Sequence, residues 1–311
     1  LADYILEAKN VSYTYPDGTQ ALKEISLKIP KGKKTAFLGS NGAGKSTLFL
    51  HFNGILKPQA GVVRFGGRDV SYNRKNLLEL RKNVGIVFQD PDSQLFSASV
   101  YQEISFGPLN YGLSEKEVRE RVERALVATG ITELSDKPTH MLSYGQKKRV
   151  TIADILAVEP EVLICDEPTA WLDPKHARQT IKLFNRINRD GTTVILSTHD
   201  VDLAYSWADY VFVLDDGRVI GEGEPEKVLR DEILIRKASL DKPWLVELYE
   251  VLVKKGCLSS KTPVPRSKEE MLELIPEHGI CIKRGEESND YDTGGNEGRE
   301  RTGLTVNLQR L

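Results

Sequence analysis

Thr35-Ala36-Phe37-Leu38-Gly39-Ser40-Asn41-Gly42-Ala43-Gly44-Lys45-Ser46-Thr47 is the stretch whose reading decides the fold. Residues 35–38 form a short apolar run, suited to a strand buried on both faces. The pattern G-x-x-x-x-G-K-S then lets the backbone curl so that several N–H groups face one point. A helix starting near Ser46 adds the partial positive charge of its N-terminus. Such a loop cradles phosphate oxygens; Lys45 has the reach to bridge the β- and γ-phosphates, and the Ser46 hydroxyl suits Mg²⁺. A glycine turn that merely joins two elements is the bland alternative. The strand in front and the helix behind disfavour it.

Working outward, Val162-Leu163-Ile164-Cys165 reads as a partner strand, followed by Asp166-Glu167. Ligands bind beyond the carboxyl ends of strands in open α/β sheets, so both carboxylates are candidates for the site. Asp166 is suited to holding Mg²⁺ through its water shell, and Glu167 to accepting a proton from an attacking water. A solvated helix cap explains Asp-Glu equally well in isolation; the upstream phosphate loop tips the balance. A helix over 174–189 and a strand over Thr193-Val194-Ile195-Leu196 continue the alternation, predicting a parallel sheet covered on both faces. Three further pieces fall in order. Leu142-Ser143-Tyr144-Gly145-Gln146 is a small-residue turn opening a helix, a second anion-binding N-terminus. Gln89 lies just past an apolar strand ending at Phe88, and His199 lies in Ser197-Thr198-His199-Asp200. Taken singly, Gln89 and His199 read as solvated or structural residues.

The remaining chain organises around this core. Residues 5–38 carry short strand-like runs, with Ile25, Leu27 and Ile29 alternating, and Pro30-Lys31-Gly32 makes a turn. Residues 62–88 read as strand. Ser114 to Glu117 has capping-box spacing, and Val118, Val122, Ala125, Leu126 and Thr129 line one helical face before Gly130. Past about residue 230 the character changes. Pro243 suits a first helical position, Leu245, Leu248, Tyr249 and Leu252 form a stripe ending at Gly256, and Ser267 to Glu270 offers another cap. Two short helices cannot bury a core alone, so this extension (233–280) must dock on the main unit (1–232) or on a second copy. Residues 281–311, rich in Gly, Glu, Asp, Asn and Arg, read as a disordered tail.

Composition sets the bounds. The 311 residues are 40% hydrophobic and 28% charged with net charge −2, an ordinary balance that gives no support for nucleic acid as a partner. Cys165, Cys257 and Cys281 lie far apart, arguing for a reducing compartment without a disulfide framework or zinc site. No stretch approaches the ~18–20 apolar residues of a membrane span, and the N-terminus does not read as a signal peptide.

With these motifs in this order, residues 4–230 resemble the ATP-binding-cassette ATPases. The resemblance implies a P-loop NTPase fold: a parallel-sheet core, an antiparallel β subdomain and a helical subdomain over about 92–158. It implies that Tyr15 stacks on adenine and that Gly39 to Thr47 form the phosphate loop. Gln89 would be a Mg²⁺ ligand linking to the membrane partner, Leu142 to Gln146 the signature, and Asp166 the acid that holds the metal. Glu167 would be the catalytic base, residues 170–173 the D-loop with Asp173, and His199 the γ-phosphate switch. It further implies that the signature of one copy closes on ATP held by another, in a homo- or heterodimer. Tyr144 replaces the glycine usual at its position, and Trp171 and Asp154 stand where small residues are common.

A narrower likeness, carried by Phe88 to Phe96, Phe106 to Leu113, Gly145 to Val150 and Thr198 to Leu203, is to the energy-coupling-factor importers, especially their cobalt/nickel branch. It implies a peripheral ATPase at the cytoplasmic membrane face, with a transmembrane coupling subunit and a substrate-binding membrane subunit. Vitamin uptake uses the same ATPase design. Leu95, Phe96, Val100, Tyr101, Ile104, Phe106 and Leu109 are candidates for a groove that takes a coupling helix, or for the helical subdomain's own core. Cassette ATPases of DNA repair or translation need a coiled-coil insertion or a second cassette, and a small-molecule kinase leaves residues 142–146 unexplained.

Overall fold

A computed structural model describes residues 3–275; the expected tail and residues 276–280 of the extension lie outside the described residues. The chain opens with β1 (Tyr4–Thr14), β2 (Gln20–Pro30), β3 (Lys34–Leu38) and α1 (Lys45–Phe52). Then come β4 (Ala60–Phe65), β5 (Arg68–Asp69), α2 (Arg74–Asn83) and β6 (Val84–Val87). Three helices follow, α3 (Val100–Asn110), α4 (Glu115–Thr129) and α5 (Tyr144–Val158). The alternation resumes with β7 (Val162–Cys165), α6 (Pro174–Arg189), β8 (Thr193–Ser197), α7 (Val201–Trp207), β9 (Tyr210–Asp215) and β10 (Arg218–Gly223). Helices α8 (Pro225–Val228), α9 (Glu232–Lys237), α10 (Trp244–Lys254) and α11 (Lys268–Leu274) close the described chain.

The strands make two sheets. A six-stranded sheet runs β10-β9-β3-β8-β7-β6, parallel except at the β10 edge, and an antiparallel sheet runs β2-β1-β4-β5. Period-two alternation explains why the central strands read as unbroken apolar runs. Ala36, Leu38, Val87, Leu163, Cys165, Val194 and Leu196 face one core. Phe37, Ile86, Val162, Ile164 and Ile195 face the other, which the antiparallel sheet and α1 cover. A third, smaller core is built by α3, α4 and α5 from residues such as Val100, Ile104, Val122, Leu126, Val150 and Ala153.

Sequence-level signals place several elements well. Helix α4 has the Ser114–Glu117 capping box, its five expected face residues are buried, and Gly130 ends it in the left-handed region. Helix α6 occupies residues 174–189, with Pro174 in its first turn. Two readings need correction. Residues 62–88 are not continuous strand: the polar sequence of α2 buries only Leu80, so its amphipathic stripe is too thin to read as a helix. Pro243 is the residue before α10, not its first helical residue.

The extension docks on its own sheet. Leu245, Val246, Tyr249, Leu252 and Met271 join the core that covers one face of the central strands. Arg266 fastens the dock, donating to the carbonyls of Tyr205 and Ala208 at the end of α7 and pairing with Glu226 at 3.1 Å. Those carbonyls are the unsatisfied acceptors of a helix C-terminus, which a guanidinium fits in charge and geometry. Among the described residues no helix is long and apolar enough to cross a membrane. Replacing Arg266 with Ala removes about 1–2 kcal/mol of charge-assisted bonding. It should lower Tm by a few degrees in thermal melts and leave nucleotide affinity unchanged.

Candidate active site

Parallel register brings the expected residues to one edge. Phe37 pairs with Ser197, Cys165 with Leu196, and Val87 with Cys165, so β3, β8, β7 and β6 end at nearly the same level. Gly39, His199, Asp166 with Glu167, and Gln89 are the residues that leave those ends. This is where an open parallel sheet places its ligands.

The loop after β3 is built for an anion. Gly39, Gly42 and Gly44 have φ of 144°, 83° and 100°. A Cβ on Gly39 would lie 2.2 Å from the Leu214 carbonyl oxygen, so no side chain fits there. Gly44 caps α1 without any side-chain acceptor, and among the described residues the amides of Gly44 to Thr47 have no hydrogen-bond partner. Those are the free donors of a helix N-terminus. The Lys45 ammonium curls back to the carbonyls of Gly39 and Ser40, at 2.7 and 3.0 Å. Burial lowers its pKa, and the charges of Glu167 and Asp166 oppose that shift. Tyr15 lies beside this helix, its hydroxyl 3.1 Å from Thr47 Oγ1.

Two carboxylates face this loop across the edge. Asp166 and Glu167 are each only 7% exposed. Ser197 Oγ donates to Asp166 Oδ1 at 2.5 Å and accepts the Glu167 amide at 2.9 Å, tying the two together. Glu167 has φ of 44°, in the left-handed region that non-glycine residues enter at a cost of about 1 kcal/mol. His199 Nδ1 lies 3.3 Å from the Glu167 carboxylate, and its side chain is 73% exposed, facing out of the edge. The Ser46 hydroxyl, the Asp166 carboxylate and the Gln89 amide oxygen, expected to hold Mg²⁺, are hard oxygen donors of the kind that would suit such a cation. Among the described residues no cluster of three or more His, Cys, Asp or Glu gathers at one point. A Mg²⁺ ion that travels with phosphate and keeps its water needs none.

Residues 142–146, the expected signature, open a separate helix. Ser143 caps α5, accepting the Gln146 amide, while the Gln146 side chain accepts the Ser143 amide at 2.9 Å. The Ser143 hydroxyl proton is therefore free for an external acceptor. Among the described residues no hydrogen bond joins 142–146 to 39–47. Asp173 caps α6 and also pairs with His176 Nδ1 at 2.5 Å, which lowers its pKa. Trp171 is 81% exposed with φ of 63°, and nothing else in the structure explains it.

Sequence reading did not single out Ser197, because nothing in it says that β7 and β8 are neighbours. Asp154 acquires an environment. It lines a cavity of about 270 Å³ with Gln94, Arg81 and Tyr111, and its pKa is pushed up to about 7 by burial and by Glu103.

Two outcomes follow from this geometry. Ser197→Ala should keep nucleotide affinity and slow MgATP turnover about 10-fold or more, because the residue orients both carboxylates. A carboxyl with a raised folded pKa binds more protons folded than unfolded between about pH 4 and 7, so its contribution to stability falls as pH rises through that window. The Tm of Asp154→Asn relative to the parent should therefore rise by a few degrees between pH 5 and pH 8.

Comparison with known proteins identifies the family. Residues 22–170 match the family described as ABC transporter. The chain is 52% identical over 256 residues to the energy-coupling factor transporter ATP-binding protein EcfA3 of Clostridium perfringens, covering 82% of this chain and 90% of that one. It is also 52% identical over 252 residues to EcfA of Methanocaldococcus jannaschii, covering 81% and 90%. The solved structure of cbiO1 from Clostridium perfringens, part of the ABC transporter complex cbiONQ, matches with a TM-score of 0.68 at 52% identity, covering 80% of this chain and 100% of that one. A dimeric ATP-binding cassette in a post-hydrolysis state with ADP and Pi matches with a TM-score of 0.66 at 28% identity, covering 71% and 99%. The chain belongs to the ABC transporter ATPases, as an ATP-binding protein of the energy-coupling-factor type.

Proposed function

We propose that this transport-coupled ATPase drives an energy-coupling-factor importer for cobalt or nickel ions, from the cytoplasmic face of the membrane. The observation that carries the reading is the edge where Lys45, buried between two loop carbonyls, faces the Ser197-linked carboxylates Asp166 and Glu167. The cobalt or nickel assignment rests on the narrower sequence likeness and on the similarity to cbiO1.

The chemistry assigns each group a task. The amides of Gly44 to Thr47 and the Lys45 ammonium grip the phosphates, and Tyr15 stacks on the adenine. Ser46, Gln89 and Asp166 would hold Mg²⁺, which neutralises phosphate charge when bound. Glu167 takes the proton of the attacking water, and His199, one hydrogen bond away, orients that carboxylate and contacts the γ-phosphate. Among the described residues the tip Ser143-Tyr144-Gly145 makes no hydrogen bond to its own loop, which supports a second ATPase subunit, identical or related, presenting it to the nucleotide. The dimeric solved relative supports that arrangement. ATP would favour the closed pair, hydrolysis would remove the preference, and the difference would drive the membrane helices.

The partner surface lies beside Gln89. Of the seven apolar candidates, Val100 and Ile104 are fully buried in the helical core, and Leu95 and Tyr101 pack against it. Phe96, Phe106 and Leu109 remain exposed at 65%, 48% and 52%, beside a cavity of about 880 Å³. They suit a helix from a transmembrane coupling subunit, which would in turn bind the substrate-binding membrane subunit.

Glu167→Gln should retain MgATP affinity, accumulate as a closed dimer in gel filtration, and lose at least 100-fold in turnover. Wild-type turnover in that variant removes Glu167 from the role. Ser143→Arg and Lys45→Ala chains should each be inactive alone and regain part of the activity on mixing. Absence of recovery would defeat the shared site. Uptake of radiolabelled cobalt or nickel by the complex purified from membranes decides the cargo against a vitamin.

A further inference from the structure

One face of α5 grips the segment that carries Gln89. Tyr144 donates its hydroxyl to the Gln89 carbonyl at 3.1 Å. Lys148, one helical turn on, donates its ammonium to the carbonyls of Phe88 and Gln89 at 2.7 and 2.9 Å. Lys147 reaches the Asp92 carboxylate at 2.5 Å. Further along the same helix, Asp154 accepts from Gln94 Nε2 at 3.5 Å, and Gln94 Oε1 in turn accepts the Phe88 amide at 3.2 Å. Positions 144, 147, 148 and 154 recur at helical spacing, so a single face makes every one of these contacts.

Lys148 is the costly member. It is 0% exposed, and its hydrogen bonds go to main-chain carbonyls rather than to a carboxylate. Burial pulls its pKa down, opposed by the carboxylate charges of Asp166, Asp90 and Glu167. An ammonium buried in this way is tolerated when its bonds are short and charge-assisted. Holding two consecutive carbonyls fixes the peptide planes on both sides of Gln89, and hence the direction in which its side chain leaves the backbone.

We infer that Lys148 and Tyr144 are positioning residues for Gln89, joining it mechanically to the helix that begins at Ser143. The inference rests on the proposed role of Gln89 at the metal. It goes further by making two events one motion: presenting Ser143 to a second copy's nucleotide moves α5, and α5 carries main-chain 88–89 with it. Each subunit's grip on its partner's ATP would therefore adjust the metal ligand at its own ATP. Tyr144, which departs from the glycine usual at this position, supplies a link that glycine cannot.

Tyr144→Phe removes one hydroxyl and keeps the ring, so it tests the link without emptying the space. In the full-length protein it should raise the Mg²⁺ concentration for half-maximal ATP turnover about 3- to 10-fold, as expected for one lost hydrogen bond. Hydrogen exchange of the nucleotide-free protein should quicken at residues 88–92 and stay the same in β7 and α1. Lys148→Gln should act in the same direction and more strongly, with Lys148→Arg restoring part of the effect. Should Tyr144→Phe show parental exchange over 88–92, or a lowered Tm with unchanged Mg²⁺ requirement, the link is overturned. If Gln89→Ala leaves the Mg²⁺ requirement of the parent unmoved, the metal role of Gln89 fails, and the exchange measurement still decides the grip.

Discussion

Parallel pairing of β3, β8, β7 and β6 is the constraint on which the rest depends. Parallel strands end together, so residues far apart in sequence leave the sheet at one edge without any further device. The registers Phe37 with Ser197 and Cys165 with Leu196 put Ser197 beside Asp166. From that adjacency come the Ser197 bridge, the fixed separation of Asp166 and Glu167, and the facing position of Lys45. Two hydrophobic cores hold the sheet from either side, and strict alternation within strands of four or five residues supplies both.

Legibility in the sequence tracked how local the signal was. The glycine loop, the capping box at Ser114, the helix opened by the turn at residues 142–146, and helix α6 between Asp173 and Asp190 depend on spacing within a few residues, and all are visible in the structure. Helix α2 was hidden because it lies on the surface with a single buried residue. Ser197 was hidden because its meaning depends on which strands are neighbours. Docking of α10 and α11 was left open between two surfaces, since an apolar stripe does not say what covers it; the structure covers it with the chain's own sheet. Tyr144 and Asp154 looked anomalous for a related reason. Their partners, Gln89 and Gln94, belong to a loop that sequence alone does not bring to α5.

The helical unit thus does more than present a tip. Its core is complete without Phe96, Phe106 and Leu109, which stay on the surface as a T-shaped aromatic pair with an adjacent leucine. The same unit touches the loop around Gln89 through α5. The exposed aromatic pair, the grip on the Gln89 segment and the serine tip thereby belong to one small packed body.

Cys165 shows what the two-sided core means for redox chemistry. Its thiol ends β7 immediately before Asp166, is fully buried, and has its pKa pushed up to about 12 by that burial. Oxidants and electrophiles attack thiolates, and this sulfur is neither ionised at neutral pH nor reachable from solvent. The residue adjoining the paired carboxylates is consequently inert to peroxide and alkylating agents while the sheet is intact. Unfolding of β7 would expose it, so its modification would report loss of the very strand that carries Asp166.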